Sequence, residues 1–182
     1  MKLSILSTFI LYFVQMHSQI IDNKSVTINT IIPEVALIDI ESVNQSVLLN
    51  LQPNNNSGEQ LNTSLVQDNS TWINYTCSLA QNSPSKKISV QIISGEIPKG
   101  IEILLLAGNY QGSEIGNHGI SNGTVILNNF PQSLISNIGA SLTGEGLNNG
   151  HQLNYSLRII DYGLLDFEDS TSITISFTLT DD

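Results

Sequence analysis

Alternation of apolar and polar residues recurs along this chain and predicts β-strands rather than helices. The clearest run is 172–180, where isoleucine, phenylalanine and leucine at odd positions alternate with serine and threonine at even ones. Such alternation is typical of a half-buried strand. Alternating or nearly continuous apolar runs also cover residues 25–32, 35–40, 45–51, 71–78, 87–93, 101–107, 124–127, 134–138 and 152–160. No segment offers ten residues with helical apolar spacing, so the sequence predicts an all-β protein of about 9–10 strands.

The segments between these runs carry turn-forming residues. Residues 52–68 are polar, and residues 108–123 are rich in glycine, asparagine and serine. We expect a surface loop at the first stretch, and a surface loop or a partly ordered hairpin at the second. The pairs Asn122-Gly123 and Asn149-Gly150 suit the positive φ of tight hairpin turns. Because each apolar stripe must be covered, we expect a two-sheet antiparallel β-sandwich with an Ig-like arrangement.

The stretch from Ser25 to Glu41 reads as two extended runs that are separated by Pro33. In the first run, Val26, Ile28 and Ile32 fall on one face of a predicted strand. Proline has no backbone N–H, so Pro33 interrupts the ladder and lets the second run leave in a new direction. Residues 19–32 could pair within the chain's own sheet or within the sheet of a neighbour, and the pattern leaves both alternatives open.

The beginning of the chain has the features of a signal peptide. Lys2 precedes an apolar core at residues 3–14, and a short polar stretch follows. That core is shorter than the roughly 20 residues needed to span a membrane. We therefore expect residues 1–18 to be removed on export, which leaves residues 19–182 as a single domain in the periplasm, at the cell surface or in the medium.

The sole cysteine, Cys77, has no second cysteine in the chain to pair with. It alternates in phase with Ile73 and Tyr75, so we interpret it as a small buried apolar residue. A reactive or intermolecular thiol is the alternative interpretation.

The net charge of −10 restricts the classes of partner. Nucleic acids and anionic lipids are recognised by basic surfaces, which this acidic chain lacks. We therefore expect no nucleic-acid partner and, after removal of the leader, no membrane insertion. A protein partner, or a glycan, fits the composition better.

Candidate catalytic motifs lack the context that their chemistry needs. Residues 119–123 match the G-x-S-x-G pattern of hydrolases, with His118 adjacent, but that motif requires a following helix, and a short strand is predicted instead. His118 and His151 are not accompanied by a C-x-x-C or an H-E-x-x-H element, so no zinc site is predicted. The sequence thus predicts no catalytic, cofactor-binding or metal-binding residues, and a protein that is not an enzyme.

Two aromatic residues are candidates for ligand contact. Trp72 falls on the polar face of its predicted strand, and Tyr110 lies in the predicted loop 108–123. Large aromatic side chains are frequent in binding interfaces. A secreted carbohydrate-binding or ligand-binding sandwich that uses these two residues is therefore the alternative to a structural role.

The two ends of the chain carry a resemblance to a known family. The stretches NKSVTINTIIPEVALIDI and STSITISFTLTDD resemble the pilin subunits of chaperone–usher fimbriae and the related spore-coat-U-type secreted sandwiches. The resemblance implies a pilin-like sandwich whose N-terminal extension inserts into a neighbouring subunit, with Val26, Ile28 and Ile32 as the inserted side chains. Those pilins often carry an early disulfide, which this chain lacks. The stretch IGASLTGEGLNNGHQLNYSL also resembles uncharacterised secreted β-sandwich proteins of Bacteroidetes-like bacteria.

These observations favour a non-enzymatic secreted or cell-surface subunit. It would have a structural or adhesive role and would associate with itself or with a partner through its strands.

Overall fold

The computed structural model describes residues 24, 26–44, 46–63, 66–166 and 171–182, and it confirms the predicted all-β class. The described residues contain nine strands and one short 3₁₀ helix, Tyr162–Leu164. The strands are β1 (Val35–Ser42), β2 (Gln67–Ser78), β3 (Lys86–Ser94), β4 (Ile101–Gln111), β5 (Gly116–Ser121), β6 (Thr124–Ile126), β7 (Gln132–Leu142), β8 (Gly150–Ile159) and β9 (Thr174–Asp181). The predicted signal peptide lies outside the described residues.

The nine strands form one antiparallel sheet that branches, rather than two separate sheets as predicted. One group has the order β1-β2-β8-β4-β6, and the other has the order β9-β3-β7-β5. The groups are joined where the end of β2 pairs with the end of β7, through Thr76 opposite Leu142 and Cys77 opposite Ser141. This short junction makes the two groups continuous in hydrogen bonding.

The connections between strands alternate between the two groups. Apart from β1 and β2, which pair with each other, every strand is followed in sequence by a strand of the other group. Such alternation is typical of double-sheet jelly rolls, which are built from Greek keys. The Ig-like order would instead pair three sets of consecutive strands. The strand order therefore differs from the Ig-like arrangement expected from the sequence.

The core is a single hydrophobic cluster to which both groups of strands contribute. Its most deeply buried side chains include Ile73 on β2, Leu105 on β4, Leu153 on β8, Ile88 on β3 and Ile138 on β7. This shared burial explains why alternation predicted most of the strands, since each needs one apolar face. Cys77 lies in the same cluster, which confirms its interpretation as a small buried residue.

The junction between the groups is reinforced by Thr143, which follows β7 directly. Its backbone N–H donates to the Tyr75 carbonyl oxygen at 3.0 Å, and its Oγ1 accepts from the Tyr75 N–H at 2.9 Å. Thr143 is fully buried. The residue thus extends the short pairing of β2 with β7 and satisfies two backbone groups that water does not reach.

The prediction of a loop at residues 108–123 is wrong in part, because this stretch contains the end of β4 and all of β5. Glycine makes this strand possible: Gly119 has a φ of +73°, and a Cβ there would lie 2.6 Å from the Ser136 carbonyl oxygen. Glycine therefore allows β5 to run close against β7. Composition indicated a loop, whereas the contact with β7 makes the segment a strand.

The glycines of the two Asn-Gly pairs adopt positive φ, but the pairs do not form hairpins. Gly123 and Gly150 have φ values of +86° and +80°. The strands that flank each pair belong to different groups and do not pair with each other. The turns therefore carry the chain from one group to the other, and the hairpin prediction is wrong.

Two predicted strands are absent. The described residues of 25–32 have no strand, and neither do the described residues of 45–51. In the second of these runs, Val47 and Leu49 pack against the core without joining a ladder, which accounts for their apolar character. The chain divides into two units, Met1–Ile32 and Pro33–Asp182, and all nine strands lie in the second.

An ion-pair cluster at Lys86 joins the residue before β1, Glu34, to the last residue of β9, Asp181. The Lys86 Nζ atom lies 2.8 Å from an Asp181 carboxylate oxygen and 3.3 Å from an oxygen of Glu34. Hydrogen bonds to Asp181 and Glu34 raise the pKa of Lys86. The entry into β1 and the end of β9 are therefore held beside the first residue of β3.

We expect Thr143→Val to lower the free energy of unfolding by about 1–3 kcal/mol, because it leaves the buried Tyr75 N–H without an acceptor. Urea denaturation followed by tryptophan fluorescence measures the change. The control is Thr180→Val on the exposed face of β9, which should change the free energy by less than about 0.5 kcal/mol. A Thr143→Val variant as stable as the wild type would contradict the role given to this hydroxyl.

Candidate functional site

Four ring side chains from four strands meet at the inner side of the sheet. Tyr75 comes from β2, Tyr110 from β4, His118 from β5 and His151 from β8, and we refer to them as the Tyr–His cluster. The rings of Tyr110 and His118 are stacked, with centroids 3.5 Å apart and planes inclined by 6°. Tyr75 and His151 are also parallel, at 5.9 Å. The cluster joins strands of both groups; Tyr75 and His151 are buried, whereas Tyr110 and His118 are only half-buried.

His151 is the buried centre of the Tyr–His cluster. Its Nδ1 atom lies 2.8 Å from the Gly108 carbonyl oxygen, and because a carbonyl only accepts, Nδ1 carries a proton. Its Nε2 atom lies 3.0 Å from the Tyr75 hydroxyl and 3.1 Å from the His118 carbonyl oxygen. Both ring nitrogens therefore have polar partners although the residue is 1% exposed.

The hydrogen bonds of the cluster depend on the protonation state of His151. The Tyr75 hydroxyl has one proton but two acceptors within reach, the His118 carbonyl oxygen and Nε2 of neutral His151. A second imidazole proton would satisfy both contacts. Burial opposes this protonation and lowers the pKa of His151, although the hydrogen bonds to Gly108 and His118 act in the opposite direction. The neutral imidazole is thus the form that the core favours near pH 7.

The cluster offers little for catalysis. Burial raises the pKa of Tyr75, so its hydroxyl stays protonated and is a poor nucleophile. Ser121 lies at the end of β5, its Oγ accepts from the Gly123 N–H at 3.3 Å, and strand β6 follows instead of the helix that a nucleophile elbow needs. Within the described residues, no three histidine, cysteine or acidic side chains are grouped to hold a metal ion.

The two predicted ligand contacts, Trp72 and Tyr110, are placed apart. Trp72 lies opposite Gln152 in the ladder, whereas Tyr110 lies opposite His151, the adjacent residue on β8. Successive residues of a strand point to opposite faces, so the two aromatic residues lie on opposite faces of the sheet. Trp72 is 4% exposed, and the ring of Tyr110 is covered on one side by His118. The structure does not bring them together.

An open groove of about 400 Å³ lies where β3 ends and β7 begins. It is lined by Ile92, Gly95, Glu96, Ile97, Leu127, Asn128, Asn129 and Phe130. Phe130 is 76% exposed, and its backbone N–H donates to the Asn128 Oδ1 atom at 2.8 Å. An exposed aromatic ring on an ordered turn is a feature of binding surfaces. Phe130 was not among the sequence candidates, because a phenylalanine beside proline gives no signal of exposure.

The three predicted partner-strand residues are exposed. Val26, Ile28 and Ile32 are each more than four-fifths exposed, and so is Ile31 between them. None of them belongs to a strand of this chain. Whether residues 19–32 pair within the chain's own sheet or within the sheet of a neighbour stays a prediction.

Sequence reasoning missed His151 as a central polar residue, although a signal was present. His151 stands two residues before Leu153 and is therefore in phase with the inward-facing residues of β8. A polar residue in an apolar phase indicates a buried hydrogen-bonded group. The proximity of His118 and Tyr75 depends on the pairing of distant strands, so the sequence carries no local sign of it.

The stability of the protein should fall as the pH is lowered through the range in which an unfolded histidine titrates, about 6.5. The lowered pKa of His151 means that the unfolded chain binds a proton more readily than the folded chain does. The free energy of unfolding should thus decrease by up to about 1.4 kcal/mol per pH unit below that value. Urea denaturation at pH 7.5 and pH 5.5 measures it. In the His151→Gln variant, the part of this pH dependence that is due to His151 should disappear. A variant with the same pH dependence as the wild type would contradict the assignment.

Comparisons with known proteins supply no relative for this chain. No family model, curated protein or solved structure matches it at a significant level. In the part of the chain that the structure describes, no helix is long and apolar enough to cross a membrane. The resemblance to pilin subunits thus stays a prediction, and function has to be argued from the residues themselves.

Proposed function

We propose that this protein is a non-enzymatic structural or adhesive subunit that associates with itself or with a partner protein by strand addition. It would act after export, in the periplasm, at the cell surface or in the medium. The observation that carries the proposal is the exposed apolar segment at residues 26–32, which we call the N-terminal segment. Its large side chains are exposed without being part of a strand.

The composition of the N-terminal segment supports strand addition. Four of its seven residues are valine or isoleucine, and β-branched residues have high strand propensity. An extended apolar segment gains main-chain hydrogen bonds and burial when it pairs with an open sheet edge. Exposed apolar groups of this size are avoided in soluble proteins unless they have a partner. The segment is therefore suited to pair with a second protein surface.

The rest of the described structure favours a role without catalysis. The polar groups of Tyr75 and His151 are hydrogen-bonded within the core, and Ser121 lacks the context of a nucleophile. The net charge of −10 argues for a protein or glycan partner over nucleic acid or anionic lipid.

The double substitution Val26→Asp with Ile28→Asp should abolish association, because each carboxylate would have to be buried in the contact. Sedimentation velocity over a concentration series measures the oligomers. We expect the wild-type protein to form concentration-dependent oligomers and the double variant to be monomeric. Asn29→Asp, with the same type of charge on the polar side of the segment, is the control and should still associate. A wild-type protein that is monomeric at all concentrations would contradict the proposed function.

A second candidate function is the binding of a glycan or another ligand, and the groove at Phe130 is the observation that favours it. The groove combines an exposed ring with the apolar side chains of Ile97 and Leu127 and with the carboxylate of Glu96. A concave surface with a few polar groups is the usual form of a ligand site. In this second candidate function, Phe130 and the other groove residues take the place of Trp72 and Tyr110 as the ligand contacts.

Phe130→Ala should reduce binding to any glycan that the wild-type protein recognises, because the exposed ring supplies the main apolar contact. A glycan array followed by calorimetry of the positive glycans measures the loss. Tyr162→Ala removes an exposed ring that does not line the groove and should leave binding unchanged. An array without a positive glycan would count against this second candidate.

A further inference from the structure

We propose that the side chains of Lys86 and Asp181 become joined by a covalent amide bond after folding, and that Glu34 moves the protons of this reaction. The bond would be a modification of the chain by itself, and it would tie β3 to the end of β9. The inference does not depend on strand addition, so it would stand even if the protein formed no oligomers.

The sheet holds the two reacting side chains in contact. Lys86 lies directly opposite Asp181 in the ladder between β3 and β9. The Lys86 Nζ atom is 2.8 Å from an Asp181 carboxylate oxygen, and the carboxyl carbon lies one bond beyond that oxygen. Groups that a fold keeps in contact react as if one of them were present at an effective concentration of about 10⁵–10⁸ M. The ladder therefore supplies the proximity that amide formation needs.

Lys86 occupies a position that seldom holds a lysine. It is in phase with the inward-facing residues Ile88 and Val90, it lies opposite Ile138, and it is 8% exposed. Lysine is almost never buried to this degree unless it is paired, because taking an ammonium group out of water is costly. An amide carries no charge. Forming it would remove the ammonium charge from the margin of the core.

Glu34 brings a second carboxylate to the same amine. It comes from the residue before β1, and one of its oxygens lies 3.3 Å from the Lys86 Nζ atom. Amide formation needs a group that takes a proton from the attacking nitrogen and passes one to the departing oxygen, and a carboxylate beside the amine can do both. The side chains of Glu34 and Asp181 are 70% and 66% exposed, so the water that is released can leave.

The reaction balances without any added reagent. Hydrogen bonds to Asp181 and Glu34 raise the pKa of Lys86, so the amine must first give up a proton, which the Asp181 carboxylate takes. The Nζ lone pair then forms a bond to the Asp181 carboxyl carbon. Glu34 accepts a proton from this nitrogen and returns it to the hydroxyl oxygen, whose bond to carbon breaks. One ammonium and one carboxylate become one amide and one water, and Glu34 ends unchanged.

Two other ion pairs of the described chain lack parts of this arrangement. Lys87 Nζ lies 3.7 Å from an Asp182 carboxylate oxygen, and the other oxygen of Asp182 accepts from the Asn137 N–H at 3.1 Å. Arg158 pairs with Glu102 across β8 and β4, but a guanidinium stays protonated and is no nucleophile. The Lys86 site combines a buried amine, a carboxylate directly opposite it and a second carboxylate.

The bond would close the chain between residues 86 and 181 into a covalent loop. Such a loop stabilises a fold mainly by restricting the unfolded chain, and the effect grows with the length of the loop. Strand β9 lies at an edge of the sheet and would then be held by more than its ladder with β3. This device suits a subunit that has to resist being pulled apart.

Mass spectrometry of the intact wild-type protein tests the proposal. We expect a mass about 18 Da, one water molecule, below that calculated for the chain from its observed N-terminus. Trypsin digestion should then give one cross-linked product that contains the peptide with Lys86 and the peptide with Asp181. A folded wild-type protein with the full calculated mass would overturn the inference. A loss of water with the two peptides still separate would also overturn it, because a cyclised aspartate gives that result.

Matched variants assign the bond to its residues. Lys86→Arg and Asp181→Ala should each have their full calculated masses, and circular dichroism checks that they are folded. Lys87→Arg, which changes the neighbouring ion pair, should still lose water. On a denaturing gel the closed loop should make the wild type migrate ahead of Asp181→Ala. Loss of water in folded Asp181→Ala, or its absence in folded Lys87→Arg, would contradict the pairing of Lys86 with Asp181.

Glu34→Gln separates proton transfer from proximity, since both reacting groups remain. We expect the bond to form at least about a hundredfold more slowly in this variant, so that freshly purified protein keeps its full mass. Glu34→Asp retains a carboxylate and should restore part of the loss of water. A Glu34→Gln variant that loses water as completely as the wild type would contradict the role given to Glu34.

Discussion

The pairing of β2 with β7 is the constraint on which the rest of the structure depends. Among the described strands, it is the one ladder that joins the two groups, and it has only two residue pairs. Thr143 lengthens it by bonding both backbone groups of Tyr75. Because the junction is so short, the two groups are held mainly by the apolar cluster between them. The Tyr–His cluster sits beside this junction, and the polar groups of its buried members, Tyr75 and His151, must be satisfied internally.

Much of the fold could be predicted from alternation, because each strand needs one apolar face. The sequence indicated eight of the nine strands in type and approximate position, including β8 and β9 with the correct inward residues. Strand β5 was missed because its glycines, which suit a loop by composition, are required for the close approach to β7. The order of the strands could not be predicted, since pairing is set by contacts between residues far apart in the sequence.

The candidate sites were harder to predict than the fold, and for a physical reason. A site depends on which distant side chains meet, and alternation only assigns each of them to a face. Trp72 and Tyr110 were assigned to one site, but the register places them on opposite faces. By contrast, the grouping of Val26, Ile28 and Ile32 does not depend on strand pairing, because a single segment contains them, and their role in a partner contact stays a prediction. The exposure of these residues could not be predicted from the alternation of apolar and polar residues. This alternation is the same for a strand that pairs internally and for one that pairs with another chain.

The two long edges of the described sheet differ in a way that the fold alone does not require. Strand β1 has acidic residues along its edge, as expected for a strand that must remain unpaired. Strand β9 has none before its end, although both strands are eight residues long and both lie at an edge. Charged side chains protect an exposed edge from pairing with another chain, so β1 is the better protected of the two edges.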